Sequence, residues 1–140
     1  MHVSNHHERT LTELDHTRLL KLTRQLRSGA AWHETEDIED ALEMARLVPS
    51  RSVSPDIVTM YSQVRLQDSL VGSRYQLTLC YPSDADPSAG FVSVTSPVGA
   101  SLLGLCVGAT ARWVTPSGEA RAAEVLAVLF QPEASGDYTL

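Results

Sequence analysis

Lysine is nearly absent: Lys21 is the only one in 140 residues, and ten arginines supply the rest of the positive charge. Against 17 acidic residues this leaves a net charge of −6. Free-standing, sequence-independent binding to nucleic acid runs on phosphate neutralisation, so the balance argues against it. No apolar run approaches the roughly 18 residues of a membrane span. The first residues, Met1-His2-Val3-Ser4-Asn5-His6-His7-Glu8, lack the apolar core of a signal peptide. The two cysteines, Cys80 and Cys106, stand far apart and outside any CxxC spacing. They read as reduced core thiols of a cytoplasmic protein rather than a disulfide or metal site. No Gly-Lys-Ser/Thr follows Gly99, Gly104 or Gly108, so these glycines form no phosphate loop.

What is present begins, after a segment (1–10) expected to be disordered, with two helical patterns. Thr12 is placed to cap a helix, with Asp15 three residues on and Leu11 as a staple. Leu19, Leu22 and Leu26 fall on one face, and Arg18, Lys21, Arg24 and Arg27 broadly on the other. Ser28-Gly29-Ala30 breaks this helix. Thr35-Glu36-Asp37 opens a second, with acids in its first turn where the macrodipole favours them. Ile38, Ala41, Leu42, Ala45 and Val48 form its apolar stripe, and Pro49 ends it. Two such helices joined by a short loop predict an antiparallel hairpin over 11–48, a short coiled coil. Arms of about 14 residues reach only about 20 Å.

Residues 49–55, bounded by Pro49 and Pro55 and rich in serine, read as a linker. From Ile57 the period becomes that of β-strands. Segments near 57–66, 75–81, 91–95, 111–115 and 120–130 are expected to be strands, with Ala123, Val125, Ala127 and Leu129 on one side of the last. Pro116-Ser117-Gly118 is a hairpin turn, and the tail from Gln131 looks irregular. Between the third and fourth strands lies Ser96-Pro97-Val98-Gly99-Ala100-Ser101-Leu102-Leu103-Gly104-Leu105-Cys106-Val107-Gly108. Ser96 can cap, proline suits a first helical position, and Gly104 and Gly108 can turn the chain. The fold class predicted is α+β: a helical hairpin, then a mostly antiparallel sheet on one short helix.

Several segments together resemble the GreA/GreB transcript-cleavage factors, and more closely the Rnk group, regulators of nucleoside diphosphate kinase. They are Asp56-Ile57-Val58-Thr59-Met60, Ser96-Pro97-Val98-Gly99 with Leu102-Leu103-Gly104-Leu105 and Gly108, the turn after Trp113, and Gln131-Pro132-Glu133-Ala134-Ser135-Gly136-Asp137-Tyr138. The Val-Thr-Met segment and the Gln-Pro-Glu-Ala tail look specific to the Rnk group. The resemblance runs from about Leu11 to the C-terminus. It implies an FKBP-like C-terminal domain over 56–140 that docks on RNA polymerase at the rim of the secondary channel. It also implies that Ser96, Pro97, Val98 and Gly99, with Leu102 beside them, belong to the polymerase-contacting surface. The position after Gly108, usually acidic in the family, is Ala109 here.

In GreA and GreB, acids at the coiled-coil tip help hold a catalytic Mg²⁺ in the polymerase active centre, where a second metal activates water. Glu34, Glu36 and Asp37 have the right chemistry, but the arms are roughly half the Gre length. The expectation is therefore a polymerase-binding regulator that occupies the rim, competes with longer factors and does not stimulate cleavage. It needs no cofactor, metal, membrane or small-molecule substrate. Nucleic acid is approached, if at all, only within the polymerase complex, by the Arg18/Lys21/Arg24/Arg27 face. A regulator contacting nucleoside diphosphate kinase directly is the alternative. A peptidyl-prolyl isomerase, the enzyme reading, needs an aromatic pocket, for which Tyr75, Tyr81, Phe91, Trp113 and Phe130 are the candidates. His16 and His33 sit at opposite ends of the first arm and cannot share a metal, and Ser73 and Ser101 lack a neighbouring base.

Overall fold

The computed structural model describes residues 9–29 and 36–138. His2, His6, His7, His33 and Glu34, with most of the segment expected to be disordered, lie outside them. A short strand β1 (Thr10–Thr12) leads into helix α1 (Glu13–Arg27), and helix α2 (Glu36–Met44) is followed by strand β2 (Arg46–Val48). The five-stranded sheet contains β3 (Gln63–Asp68), β4 (Arg74–Cys80), β5 (Phe91–Ser93), β6 (Thr110–Val114) and β7 (Ala120–Phe130). Helix α3 (Pro97–Leu102) sits between β5 and β6. Strand order is β5-β4-β3-β7-β6, antiparallel throughout except for β4 beside β5.

The predicted cap of α1 forms: Thr12 Oγ1 accepts from the Asp15 N–H at 3.0 Å. Arg27 at the end of α1 pairs with Glu39 near the start of α2 at 2.6 Å, so the two helices run antiparallel. The buried stripe of α1 differs from the expected one. It runs Asp15, Leu19, Thr23, a strict i, i+4 ladder, while Leu22 only packs against its margin. Thr23 satisfies its hydroxyl by donating to the Leu20 carbonyl at 2.8 Å.

The second arm is shorter than its apolar stripe suggests. Helix α2 stops at Met44, and Arg46–Val48 instead pair in parallel with β1, Thr10 opposite Arg46 and Thr12 opposite Val48. Val48 precedes a proline, which disfavours helical backbone there, and β1 offers an unpaired edge. The hairpin is not a free-standing probe. Leu19, Ile38 and Leu42 are buried in the same apolar cluster as Leu102, Leu103 and Met60. Burial of each such side chain contributes about 1.5–3 kcal/mol.

The stretch expected as linker is tied down. Ser50–Ser52 make one 3-10 turn, and the Arg51 guanidinium lies 4.5 Å over the Tyr138 ring. The Gln131 side-chain amide donates to the carbonyls of Ser54 and Ile57, each at 2.8 Å. The strand expected from Ile57 starts only at Gln63, because Tyr61 adopts φ 65° and turns the chain. Strand β7 has the expected limits but not the expected faces. Its register against β3 shifts twice, so Ala123 and Val125 are buried, Val128 packs inward and Leu129 is exposed. None of the helices among the described residues is long and apolar enough to cross a membrane.

Candidate docking surface

The corner before α3 is built from hydrogen bonds its sequence dictates. Ser96 Oγ accepts from the Gly99 N–H at 3.1 Å and donates to the Ser93 carbonyl at 2.7 Å. Pro97 occupies the first turn, where no N–H is needed. Gly99 is obligatory for a steric reason: a Cβ there would lie 2.0 Å from the Ser93 carbonyl oxygen. The Ser-Pro-x-Gly pattern thus seats α3 directly on the end of β5. Ser96, Pro97 and Val98 remain partly exposed, whereas Gly99 is buried and Leu102 is fully so. A partner touching this corner as it stands meets the first three residues. Leu102 serves the core beneath them.

Beyond α3, Gly104 has φ 81°, and a Cβ there would meet the Thr10 carbonyl at 3.0 Å. That close approach lets the Thr10 N–H reach the Gly104 carbonyl at 3.0 Å, while the Gly104 N–H reaches Val58 at 2.9 Å. Arg9 adds a cap that sequence reading missed. Its Nη1 donates to the carbonyls of Ala100, Ser101 and Leu103, at 3.1, 3.3 and 2.6 Å. These are the otherwise unpaired carbonyls at the C-terminal end of α3, where positive charge is favourable. Burial lowers the Arg9 pKa, and the carboxylates of Asp37 and Asp40 oppose that shift.

Asp37 therefore does not stand at a remote tip. With Asp40 and Met44 it forms one wall of a groove of about 810 Å³, whose other wall includes Pro97 and Trp113. Glu36 is exposed nearby. No group of three or more His, Cys, Asp or Glu residues is placed to hold a metal among the described residues. The basic face of α1 is also reduced. Arg18 is half-buried and close enough to the Asp15 carboxylate and the Tyr81 hydroxyl to influence both, and Arg27 is paired with Glu39. Lys21 and Arg24 remain exposed. The five aromatics weighed for a prolyl pocket do not converge: Trp113 lines the groove, Tyr81 packs on Tyr61 at 5.7 Å, and Tyr75, Phe91 and Phe130 are surface residues.

A second joint lies at the start of α1. Asp15, 1% exposed, accepts from the Met60 N–H at 3.1 Å. Thr59 Oγ1 donates to Glu133 at 2.7 Å and shares a 2.9 Å hydrogen bond with Ser62. Burial is the main reason the Asp15 pKa is pushed up to about 7, and the Glu133 carboxylate adds to it. The hydrogen bonds from Met60 and Thr12 and the charge of Arg18 oppose the rise. The Val-Thr-Met segment and the Gln-Pro-Glu tail, more than 70 residues apart, therefore close on each other and on the first turn of α1.

Comparison with known proteins matches this architecture. The family model described as "Transcription elongation factor, GreA/GreB, C-term" fits residues 53–130. The regulator of nucleoside diphosphate kinase of Escherichia coli K12 is 41% identical over 99 residues, covering 71% of this chain and 73% of that protein. The transcription elongation factor GreA of Flavobacterium johnsoniae is 35% identical over 81 residues, 58% of this chain and 51% of that protein. A solved GreA/GreB elongation factor from Nitrosomonas europaea superposes with a TM-score of 0.71 at 32% identity, covering 88% of this chain and all of that one. With the capped Ser-Pro corner, the five-stranded sheet and the short hairpin in place, these matches put the chain in the GreA/GreB family, on the side of the regulators of nucleoside diphosphate kinase.

Proposed function

We propose that the protein is a transcription regulator that binds RNA polymerase at the rim of the secondary channel and competes there with longer Gre-type factors, without stimulating transcript cleavage. The contact is the Ser96-Pro97-Val98 corner. The observation that carries this reading is the size and attachment of the hairpin. Helix α1 has 15 residues, about 22 Å, and its apolar face is buried against the domain that holds the corner. The acids of α2 are correspondingly short of reach, and Asp37 lies beside the corner itself. Ligation of a metal demands placement within a few tenths of an ångström, so a carboxylate one helical turn short contributes nothing. Docking, rather than chemistry, is then what the protein supplies.

The test is a pull-down of core polymerase by the intact protein and by Pro97→Asp, paired with a cleavage assay on backtracked complexes. Capture lost in the variant, together with inhibition of GreA-dependent cleavage and none of its own, supports the proposal. Capture of nucleoside diphosphate kinase without polymerase would establish the direct-regulator reading, which the name of the E. coli relative favours. Cleavage stimulated by the purified protein would overturn the mechanism.

A further inference from the structure

The helices pack on one face of the five-stranded sheet and leave the opposite face bare. Cross-strand register places Arg65 opposite Ala127, Arg74 opposite Gln67 and Arg112 opposite Ala122. All three arginines are exposed, and among the described residues none makes an ion pair. For a chain with six more acids than bases, three unpaired guanidinium groups on one open face are a local reversal of charge. Alanines on β7 leave a shallow floor between Arg65 and Arg112, so on that side neither guanidinium faces a large side chain, while Arg65 has Gln76 across from it on β4. At one end of this floor stands Phe130, in register with Gln63 and 44% exposed. Two features bound the face. Glu124, opposite Gln67 and Thr110, is the carboxylate within it. At the far edge Asp86 pairs with Phe91 through its backbone, and its carboxylate accepts from the Ser88 hydroxyl at 2.7 Å.

We infer that this open sheet face binds single-stranded nucleic acid, with backbone phosphates on Arg65, Arg74 and Arg112 and a base stacked on Phe130. Planar guanidinium groups suit phosphate, and an exposed aromatic ring on a flat sheet accepts any unpaired base. From Phe130 to the row of Arg112 the track spans about 25 Å along β7, enough for roughly four nucleotides. An acidic protein surface would also be drawn to the arginines, but it gains nothing from Phe130. A duplex keeps its bases stacked inside, out of reach of that ring. The negative charge of the molecule as a whole opposes long-range attraction, so the contact is short-range and works at low salt. At its β6 edge this surface meets the groove that Arg112 shares with Pro97, Asp37 and Asp40, and it lies apart from the Arg18/Lys21/Arg24/Arg27 face of α1.

The experiment is fluorescence anisotropy of a labelled twelve-nucleotide oligouridylate with the full chain. Three phosphate contacts give a log–log salt slope of about −2, so raising salt from ~50 to ~150 mM weakens binding about ninefold. The combined Arg65→Gln, Arg74→Gln, Arg112→Gln variant loses at least tenfold and its slope collapses. Phe130→Ala loses about fivefold or more with the slope unchanged. All four side chains are exposed, and unchanged melting curves confirm that the variants fold. The inference is overturned by no binding at ~50 mM salt, or by binding that the triple variant retains. Loss on Lys21→Gln, Arg24→Gln instead, or equal affinity for polyglutamate with the same variant dependence, overturns it too.

Discussion

Replacing Asp15 by Asn should remove a pH dependence of stability that its burial creates. The Asp15 carboxyl is 1% exposed, accepts one N–H from Met60, and has Glu133 nearby to repel its charge. Its pKa in the folded protein is about 7 against an ordinary 3.8. The folded state therefore binds this proton more tightly than the unfolded chain does. The resulting stability is complete below about pH 4 and is lost as pH rises through 7. Integrating between those two pKa values, the group withdraws about 2.5 kcal/mol between pH 5 and pH 8. For a chain of this size that is roughly 8 °C in melting temperature. Asparagine can still accept from Met60 through its Oδ1 but does not titrate. Urea unfolding at pH 5, 6, 7 and 8 should give curves for protein and variant that nearly coincide at pH 5. At pH 8 the variant should be the more stable by about 2 kcal/mol. Groups common to both proteins cancel in the difference. Stability differences that stay constant across the four pH values would refute the reasoning, as would a variant that loses stability most at pH 8.

Three further changes test other parts of the structure. Gly99→Ala brings a methyl group within 2.0 Å of the Ser93 carbonyl, so it should destabilise the protein by more than about 2 kcal/mol by thermal unfolding. Gly118→Ala, open on all sides but at φ 89°, should cost only about 1 kcal/mol. Arg9→Met strips the donor from three carbonyls at the end of α3. It should cost about 1–3 kcal/mol in urea and speed exchange of the Thr10 amide. Glu39→Gln removes an exposed pair with Arg27 and should leave the melting temperature unchanged within error, because such pairs contribute little in water.

The local punctuation of the chain was legible. Thr12 and Ser96 cap the helices they precede, Gly104, Gly108 and Gly118 take positive φ, and β7 has the predicted limits. Each of these rests on a preference that acts within a few residues. What was not legible needed a partner distant in sequence. Asp15 has the spacing of a capping-box acid, and nothing in its neighbourhood says that its carboxylate is spent on Met60, 45 residues away. The apolar stripe of α2 runs on to Val48 on paper. Its last three residues are taken by the edge of β1, a competitor that periodicity cannot weigh. The inward side of β7 flips at two register shifts, which places Leu129 at the surface against the alternation pattern. In the candidate site the Ser-Pro corner was found from its motif. Arg9 was missed because a lone arginine beside a polar N-terminus carries no signal of what it caps.

Two joints fix the hairpin relative to the corner, and they respond differently to conditions. Arg9 couples the start of the chain to the end of α3, and its guanidinium keeps its charge at any physiological pH even with its pKa lowered by burial. Asp15 couples the first turn of α1 to Met60, and its carboxyl changes charge near neutrality. The second joint weakens as pH rises while the first holds, so loosening should begin at α1 and leave β1 and α3 together. Hydrogen exchange distinguishes this from global opening. Between pH 6 and 8, after correction for intrinsic rates, protection of the Met60 amide should fall while that of the Thr10 amide, bonded to Gly104 at 3.0 Å, stays constant. Equal loss at both would mean that the hairpin and the corner open as one unit. In that case the short arm could not shift its direction without dismantling the surface proposed to dock.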